Sequence, residues 1–305
     1  MRRLGRLPRA LTCLLVAGVL ILTGQTAPVG AVDTGDPQDP FTHTHVLPKR
    51  CLRGGTAMPA RAGACHLTHY KGRRTIVVWG DSHAWQQLPA MIKQARSTRT
   101  NLVAFVMGSC PPMDLLGRAA TGRCAHQARL AMKFIEKRAS KGKHRPKVIL
   151  GAFWSLYRDL YRRAQAGETF DDPRLVYVAK QAKLFHRTIK PLFWRLKGTR
   201  VHVAAIGPQP WVAPEARACP EGDQPYNCEQ PREDAVLDED KTTAWLKKRL
   251  SIINTSGVVP TARFTCGPNR CHPRLDQRYV YLDDLHLNPA VTRSFAPAYR
   301  RIFTS

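Results

Sequence analysis

The chain has 305 residues, 43% of them hydrophobic and 23% charged, enough to bury one large α/β core and too apolar for a chain that cannot pack. Its 48 lysines and arginines against 22 acids give a formal net charge of +26, which favours polyanionic partners: teichoic or teichuronic acids, anionic lipid headgroups or nucleic acid. No nucleic-acid-binding motif accompanies the charge, so an anionic wall polymer is the favoured contact and nucleic acid the disfavoured one.

Arg2, Arg3, Arg6 and Arg9 precede an apolar run from Ala10 to Leu22, and small residues follow to Val29-Gly30-Ala31. The run is shorter than the roughly 20 residues that cross a bilayer comfortably. Residues 1–31 therefore read as a cleaved secretory signal, with an uncleaved signal anchor as the alternative. Residues 32–50, rich in Pro, Gly, Asp and Thr, read as a flexible tether, and 51–305 as the functional domain of an exported, envelope-associated protein.

From Cys51 onward, β-branched runs alternate with helical stretches. The runs predict strands at Thr75–Trp79, Leu102–Met107, Val148–Ala152, Val201–Ile206 and Gly257–Phe264. Between and after them, helices are predicted at His83–Ala95, Cys124–Ser140, Leu175–Leu196, Asp238–Ile253 and Asn288–Phe303. Pro89 and Pro191 argue for interruptions in the first and third helices, and Pro297 for a break in the last. Strands that are continuously apolar are those buried on both faces of a parallel sheet, and their alternation with helices predicts a doubly wound three-layer architecture. The proline-rich, charged segment Gly207–Asp240 reads as a long loop.

Nine cysteines are present, with Cys13 inside the signal. The other eight form close sequential couples, which predict the disulfides Cys51–Cys65, Cys110–Cys124, Cys219–Cys228 and Cys266–Cys271 in an oxidising compartment. Zinc is the rival reading, prompted by Cys65-His66 and Cys271-His272; with no Cys-x-x-Cys pair, no metal site is expected.

Gly80-Asp81-Ser82-His83 directly follows the first predicted strand, where ligands bind in an open parallel sheet. Ser82 is a candidate nucleophile at a strand-to-helix turn, and a helix N-cap is the competing role. A serine hydroxyl needs an adjacent base. Asp283-Asp284-Leu285-His286 supplies one in His286, with Asp283 three residues before it to orient the ring; Asp284 is the substitute for that role. His83 neighbours the nucleophile; spacing does not derive its role, and a contact to substrate and a contact to the residues that support the site are the two alternatives.

These motifs, with Gly108-Ser109-Cys110-Pro111-Pro112 after the second predicted strand, resemble the SGNH hydrolase superfamily. More narrowly they resemble the extracytoplasmic SGNH domains associated with acyltransferase-3 membrane proteins, which O-acylate bacterial surface glycans. The resemblance runs from Arg73 to Phe303 and implies a three-layer α/β/α sandwich with a mainly parallel, about five-stranded sheet. It also implies Ser82 as nucleophile, His286 as base and Asp283 as orienting acid, with the amides of Ser82 and Gly108 as oxyanion donors. The family's third donor, an asparagine, has no counterpart in Gly151–Tyr157. Asp81, His83, Trp154 and Tyr157 are then expected as substrate contacts, with core packing the competing role for the last two. No cofactor is implied. The implied partners are an envelope glycan and a membrane protein that donates the acyl group, because the relatives' transmembrane helices have no counterpart here beyond the signal. Without such a donor the chemistry is that of an esterase. A non-catalytic module that binds wall polyanions on the same fold is the alternative.

Overall fold

The computed structural model describes residues 46–115, 121–141, 144–213, 216 and 228–304. The predicted signal, most of the tether and Cys219 lie outside these residues. In chain order the helices are α1 (Lys49–Leu52), α2 (Ser82–Trp85), α3 (Leu88–Ser97), α4 (Arg123–Ala139), α5 (Trp154–Gln165), α6 (Pro173–Thr199), α7 (Arg232–Ala235), α8 (Glu239–Leu250), α9 (Pro289–Thr292) and α10 (Ala296–Thr304). The strands are β1 (Cys65–Thr68), β2 (Thr75–Gly80), β3 (Asn101–Val106), β4 (Lys147–Gly151), β5 (His202–Ile206), β6 (Gln230–Pro231), β7 (Thr255–Val259), β8 (Arg270–Cys271), β9 (Arg274–Leu275) and β10 (Arg278–Tyr279).

Six strands form one sheet in the order β1-β3-β2-β4-β5-β7. All its neighbours pair in parallel except β1, which lies antiparallel along the β3 edge. The alternation of side chains along each strand sends successive residues to opposite faces. Val77, Trp79, Val103, Phe105, Val148, Leu150, Val203 and Ala205 enter the core beneath α4, α5, α6 and α8. Ile76, Val78, Leu102, Ala104, Ile149, Ala204 and Ile206 enter the opposite core, with α2, α3, α9 and α10. The protein is thus an α/β/α sandwich with both sheet faces covered, which is why its strands are continuously apolar. Each large side chain buried in these layers is worth about 1.5–3 kcal/mol of transfer free energy.

Several elements differ from the sequence-based expectation. The edge strand β1 was not expected, nor was α5. The first predicted helix is two helices, because Pro89 sits in the first turn of α3, where a missing N–H costs nothing. Pro191, by contrast, lies inside the continuous α6; buried Leu192, Phe193 and Leu196 hold the helix to the core on its far side. The last strand stops at Val259, before Pro260, and the final predicted helix is broken by a 3-10 turn at Arg293–Phe295 ahead of Pro297. Leu47 is buried and α1 begins at Lys49, so the end of the predicted tether belongs to the domain. The expected long loop Gly207–Asp240 contains β6 and α7.

The disulfides Cys51–Cys65, Cys110–Cys124 and Cys266–Cys271 are formed. Cys228 is disulfide-bonded too, and its expected partner Cys219 lies outside the described residues. Closing each of the two 15-residue loops contributes about 3 kcal/mol by the chain-entropy estimate. Among the described residues no helix is long and apolar enough to cross a membrane, and no group of three or more His, Cys, Asp or Glu is placed to hold a metal ion.

Candidate active site

From β2 the chain passes through α2 and α3 on one face of the sheet to reach β3; from β4 it passes through α5 and α6 on the other face to reach β5. The carboxyl ends of the adjacent strands β2 and β4 therefore form a topological switch point, where open α/β sheets bind ligands. Gly80 and Gly151 pair across these ends. A Cβ on Gly80 would lie 1.8 Å from the Gly151 carbonyl oxygen, and one on Gly151 would lie 2.8 Å from Ala84 Cβ. Two glycines thus let α2 settle directly on the strand ends.

Asp81 caps α2: its Oδ1 accepts the His83 amide at 2.8 Å. Its Oδ2 accepts the Phe153 amide at 3.1 Å, and the Tyr157 hydroxyl also donates to the carboxylate. The N-cap role considered for Ser82 is therefore filled by Asp81. Ser82 reaches the surface at the first position of α2, while the run His83–Leu88 behind it is buried. Burial pushes the Asp81 carboxyl up to about 6, against the pull of its hydrogen-bond donors and of His286. Burial, aided by the Asp81 charge, likewise raises the Tyr157 hydroxyl well above its ordinary range.

Asp283 and His286 lie in a turn closed by a hydrogen bond from the Leu282 amide to the His286 carbonyl at 2.8 Å. Asp283 Oδ1 accepts the amides of Leu285 and His286, each at 2.8 Å, and the His286 Nδ1 lies 2.8 Å from both carboxylate oxygens. Burial opposes the Asp283 charge, but His286 and the two amides outweigh it and hold the carboxyl below its ordinary value. With Nδ1 engaged, Nε2 is the nitrogen left to exchange a proton. Asp284 does not share this bond; its carbonyl accepts the Val212 amide at 2.9 Å and ties the turn to the segment after β5.

A buried glutamine network joins the turn to α2. Gln86 accepts the Leu287 amide at 2.8 Å, and its carbonyl accepts the Thr292 hydroxyl. Gln209 Oε1 accepts from the side-chain amides of Gln86 and Gln87, both at 2.7 Å, and its Nε2 donates to the His83 carbonyl at 3.1 Å. The His286 ring lies edge-on to Trp85 at 6.4 Å and 5.7 Å from the His83 ring. His83 is buried against Phe153, ring centroids 4.2 Å apart, and neither of its nitrogens has a partner among the described residues. Burial, reinforced by His286, holds His83 well below the ordinary imidazole range, so it stays neutral.

Gly108 lies beside this group, since Met107 donates to the Gly80 carbonyl at 3.2 Å. Ser109 adopts a left-handed conformation, φ 57°, and Cys110 anchors the turn through its disulfide. Ser82, Gly108, Asp283 and His286 are each partly exposed, and the ring of His83, next to Ser82, lies 5.7 Å from that of His286. Trp154 and Tyr157, by contrast, are buried. Trp154 is 1% exposed, donates to the Ile206 carbonyl at 2.7 Å and packs on Phe185 and Trp245. Tyr157 is equally buried. Both are core residues: Trp154 packs towards α6 and α8, and Tyr157 packs on Phe185 while its hydroxyl donates to Asp81. Asp81, 2% exposed, is a buried structural carboxylate rather than a substrate contact. Gln86, Gln87, Gln209 and Phe153 were not expected here. The one signal in the sequence is the pair Gln86-Gln87, set between the apolar Trp85 and Leu88.

No curated protein matches this sequence. Among solved structures, the chain is similar to the periplasmic domain of a lipopolysaccharide acetyltransferase from Salmonella ser. Paratyphi A, with 11% identity and a TM-score of 0.49 over 77% of this chain and 85% of that one. The family model described as "SGNH domain (fused to AT3 domains)" matches residues 50–301. That span takes in the Gly80–His83 turn, the Gly108 turn and the Asp283–His286 turn alike, and the chain belongs to the SGNH domain family found fused to AT3 domains.

Proposed function

We propose that the chain is an exported serine acyl-transfer enzyme that moves an acyl group, acetyl in the simplest case, to a hydroxyl of an envelope glycan or to water through an acyl-Ser82 intermediate. The observation that carries this reading is the Asp283–His286 pair, hydrogen-bonded through Nδ1 on a turn tied to the helix that Ser82 opens. In the first half, Ser82 Oγ attacks the carbonyl of a donor ester as His286 Nε2 takes its proton. The tetrahedral oxyanion lies against the amides of Ser82 and Gly108, neither of which donates a hydrogen bond among the described residues. Collapse breaks the bond to the donor oxygen, which leaves with the proton from His286. In the second half, an acceptor hydroxyl attacks acyl-Ser82 and loses its proton to His286, which returns it to the departing Ser82 oxygen. Asp283 fixes the imidazole orientation and stabilises the imidazolium. The buried, neutral His83 leaves His286 as the imidazole that takes up charge.

Family membership supports a membrane acyl donor as partner, and the disulfides support an extracytoplasmic site of action. The test is turnover of an activated acetyl ester with and without a glycan acceptor. Acetylated acceptor formed faster than free acetate marks a transferase, and the reverse an esterase. The net charge favours a second reading, a wall-polymer-binding module; tight, salt-sensitive polymer binding with no ester turnover would establish it in place of the first.

A further inference from the structure

We propose that the outer face of α6 docks the domain on an anionic lipid surface. Lys180, Lys183, Arg187, Lys190, Trp194 and Lys197 follow one another at alternating steps of three and four residues, the spacing that places side chains in one stripe along a helix. All six are exposed, whereas Ala182, Phe185, Ile189, Leu192, Phe193 and Leu196 bury the opposite face. The stripe is about 26 Å long at 1.5 Å per residue.

Its charge is uncompensated. The sequence holds no acid between Asp172 and Glu215, and none of the five stripe cations forms an ion pair among the described residues. The neighbouring acids Asp114 and Glu136 are instead engaged by Arg195, at 2.8 and 2.7 Å, on the inner side of the helix. Lys133 and Lys137, exposed on α4 on the same side of the sheet, extend the basic face.

Trp194 separates lipid from a soluble polyanion. It is 49% exposed, the only large hydrophobic side chain so exposed among the described residues, with Lys197 Nζ 4.9 Å from its ring centroid. An indole flanked by long cationic side chains suits the headgroup boundary, where aromatic rings partition and lysines reach outward to phosphate.

The test is residue-resolved lysine acetylation of the full chain, read by mass spectrometry on anionic phosphatidylglycerol vesicles, on neutral phosphatidylcholine vesicles and with soluble polyphosphate. The readout is local, so that any lipid contact of the apolar run Ala10–Leu22 is separated from docking of α6. Lys180, Lys183, Lys190 and Lys197 are expected to be protected on the anionic vesicles only, with protection declining as salt rises. The triple substitution Lys183→Gln, Arg187→Gln, Lys190→Gln weakens that protection about 10²-fold, from about fivefold per cation, with an unchanged unfolding midpoint. Brominated lipid quenches a fluorescence component that Trp194→Phe removes. Equal labelling on both vesicle types, protection by polyphosphate without protection by vesicles, or quenching unchanged by Trp194→Phe overturns the proposal.

Discussion

Asp81→Asn tests whether the aspartate beside Ser82 is the buried, charge-penalised group that its surroundings indicate. In the fold its pKa is about 6, against an ordinary 3.8, because burial outweighs its hydrogen-bond donors. Each unit is worth 1.36 kcal/mol, so ionising Asp81 costs the folded state about 3 kcal/mol relative to the unfolded chain. The sign follows from the raised value. Below pH 3.8 both states are protonated and the penalty is absent; between 3.8 and about 6 the unfolded chain has lost a proton that the folded state still holds, so stability falls, and it levels off above 6 once both states are ionised. Asparagine keeps the shape and one amide acceptor but cannot ionise. Guanidinium unfolding at several pH values between 3 and 7 should therefore show the wild type losing about 3 kcal/mol relative to Asp81→Asn, most of it below pH 6. Other titrating groups cancel in the difference. Parallel stability curves for the two proteins would refute the reasoning, since they would mean that the donors fully compensate the charge.

Asp283→Asn removes the charge that orients His286, and turnover of an activated ester should fall by on the order of 10⁴ with little change in fold, as read by steady-state kinetics and circular dichroism. Gly80→Ala places a Cβ 1.8 Å from the Gly151 carbonyl oxygen; forcing β2 and β4 apart should cost about 3 kcal/mol in denaturant unfolding. Trp154→Phe deletes the hydrogen bond to the Ile206 carbonyl and should lower stability by about 1–3 kcal/mol, while KM for a glycan acceptor stays at the wild-type value. A raised KM with unchanged stability would return Trp154 to the substrate pocket.

The parallel core was legible because its strands are apolar on both faces and need only their own sequence to declare burial. Cys65-His66-Leu67-Thr68 offers no such run: as a four-residue, half-exposed edge strand, it carries too little pattern to separate it from a loop. α5 was hidden for a different reason. Its opening Trp154-Ser155-Leu156-Tyr157 follows a strand end directly, where aromatics suit a pocket as well as a core, and only the packing of Phe185 and Trp245 decides between them. The site divides in the same way. Ser82, Asp283 and His286 sit in short motifs whose members lie within a few residues of one another. The network that joins them pairs Gln86 with Gln209 and Leu287 across 123 and 201 residues, and no local pattern encodes a contact at that separation.

The most direct test of the account is the intact mass of the protein after brief exposure to an activated acetyl ester, for the wild type and for Ser82→Ala, with the modified peptide mapped. A transient acetyl adduct is expected at Ser82 in the wild type, discharged by acceptor or water, and none in the variant. No adduct at Ser82, or the same adduct in both proteins, would contradict the assignment of Ser82 as nucleophile.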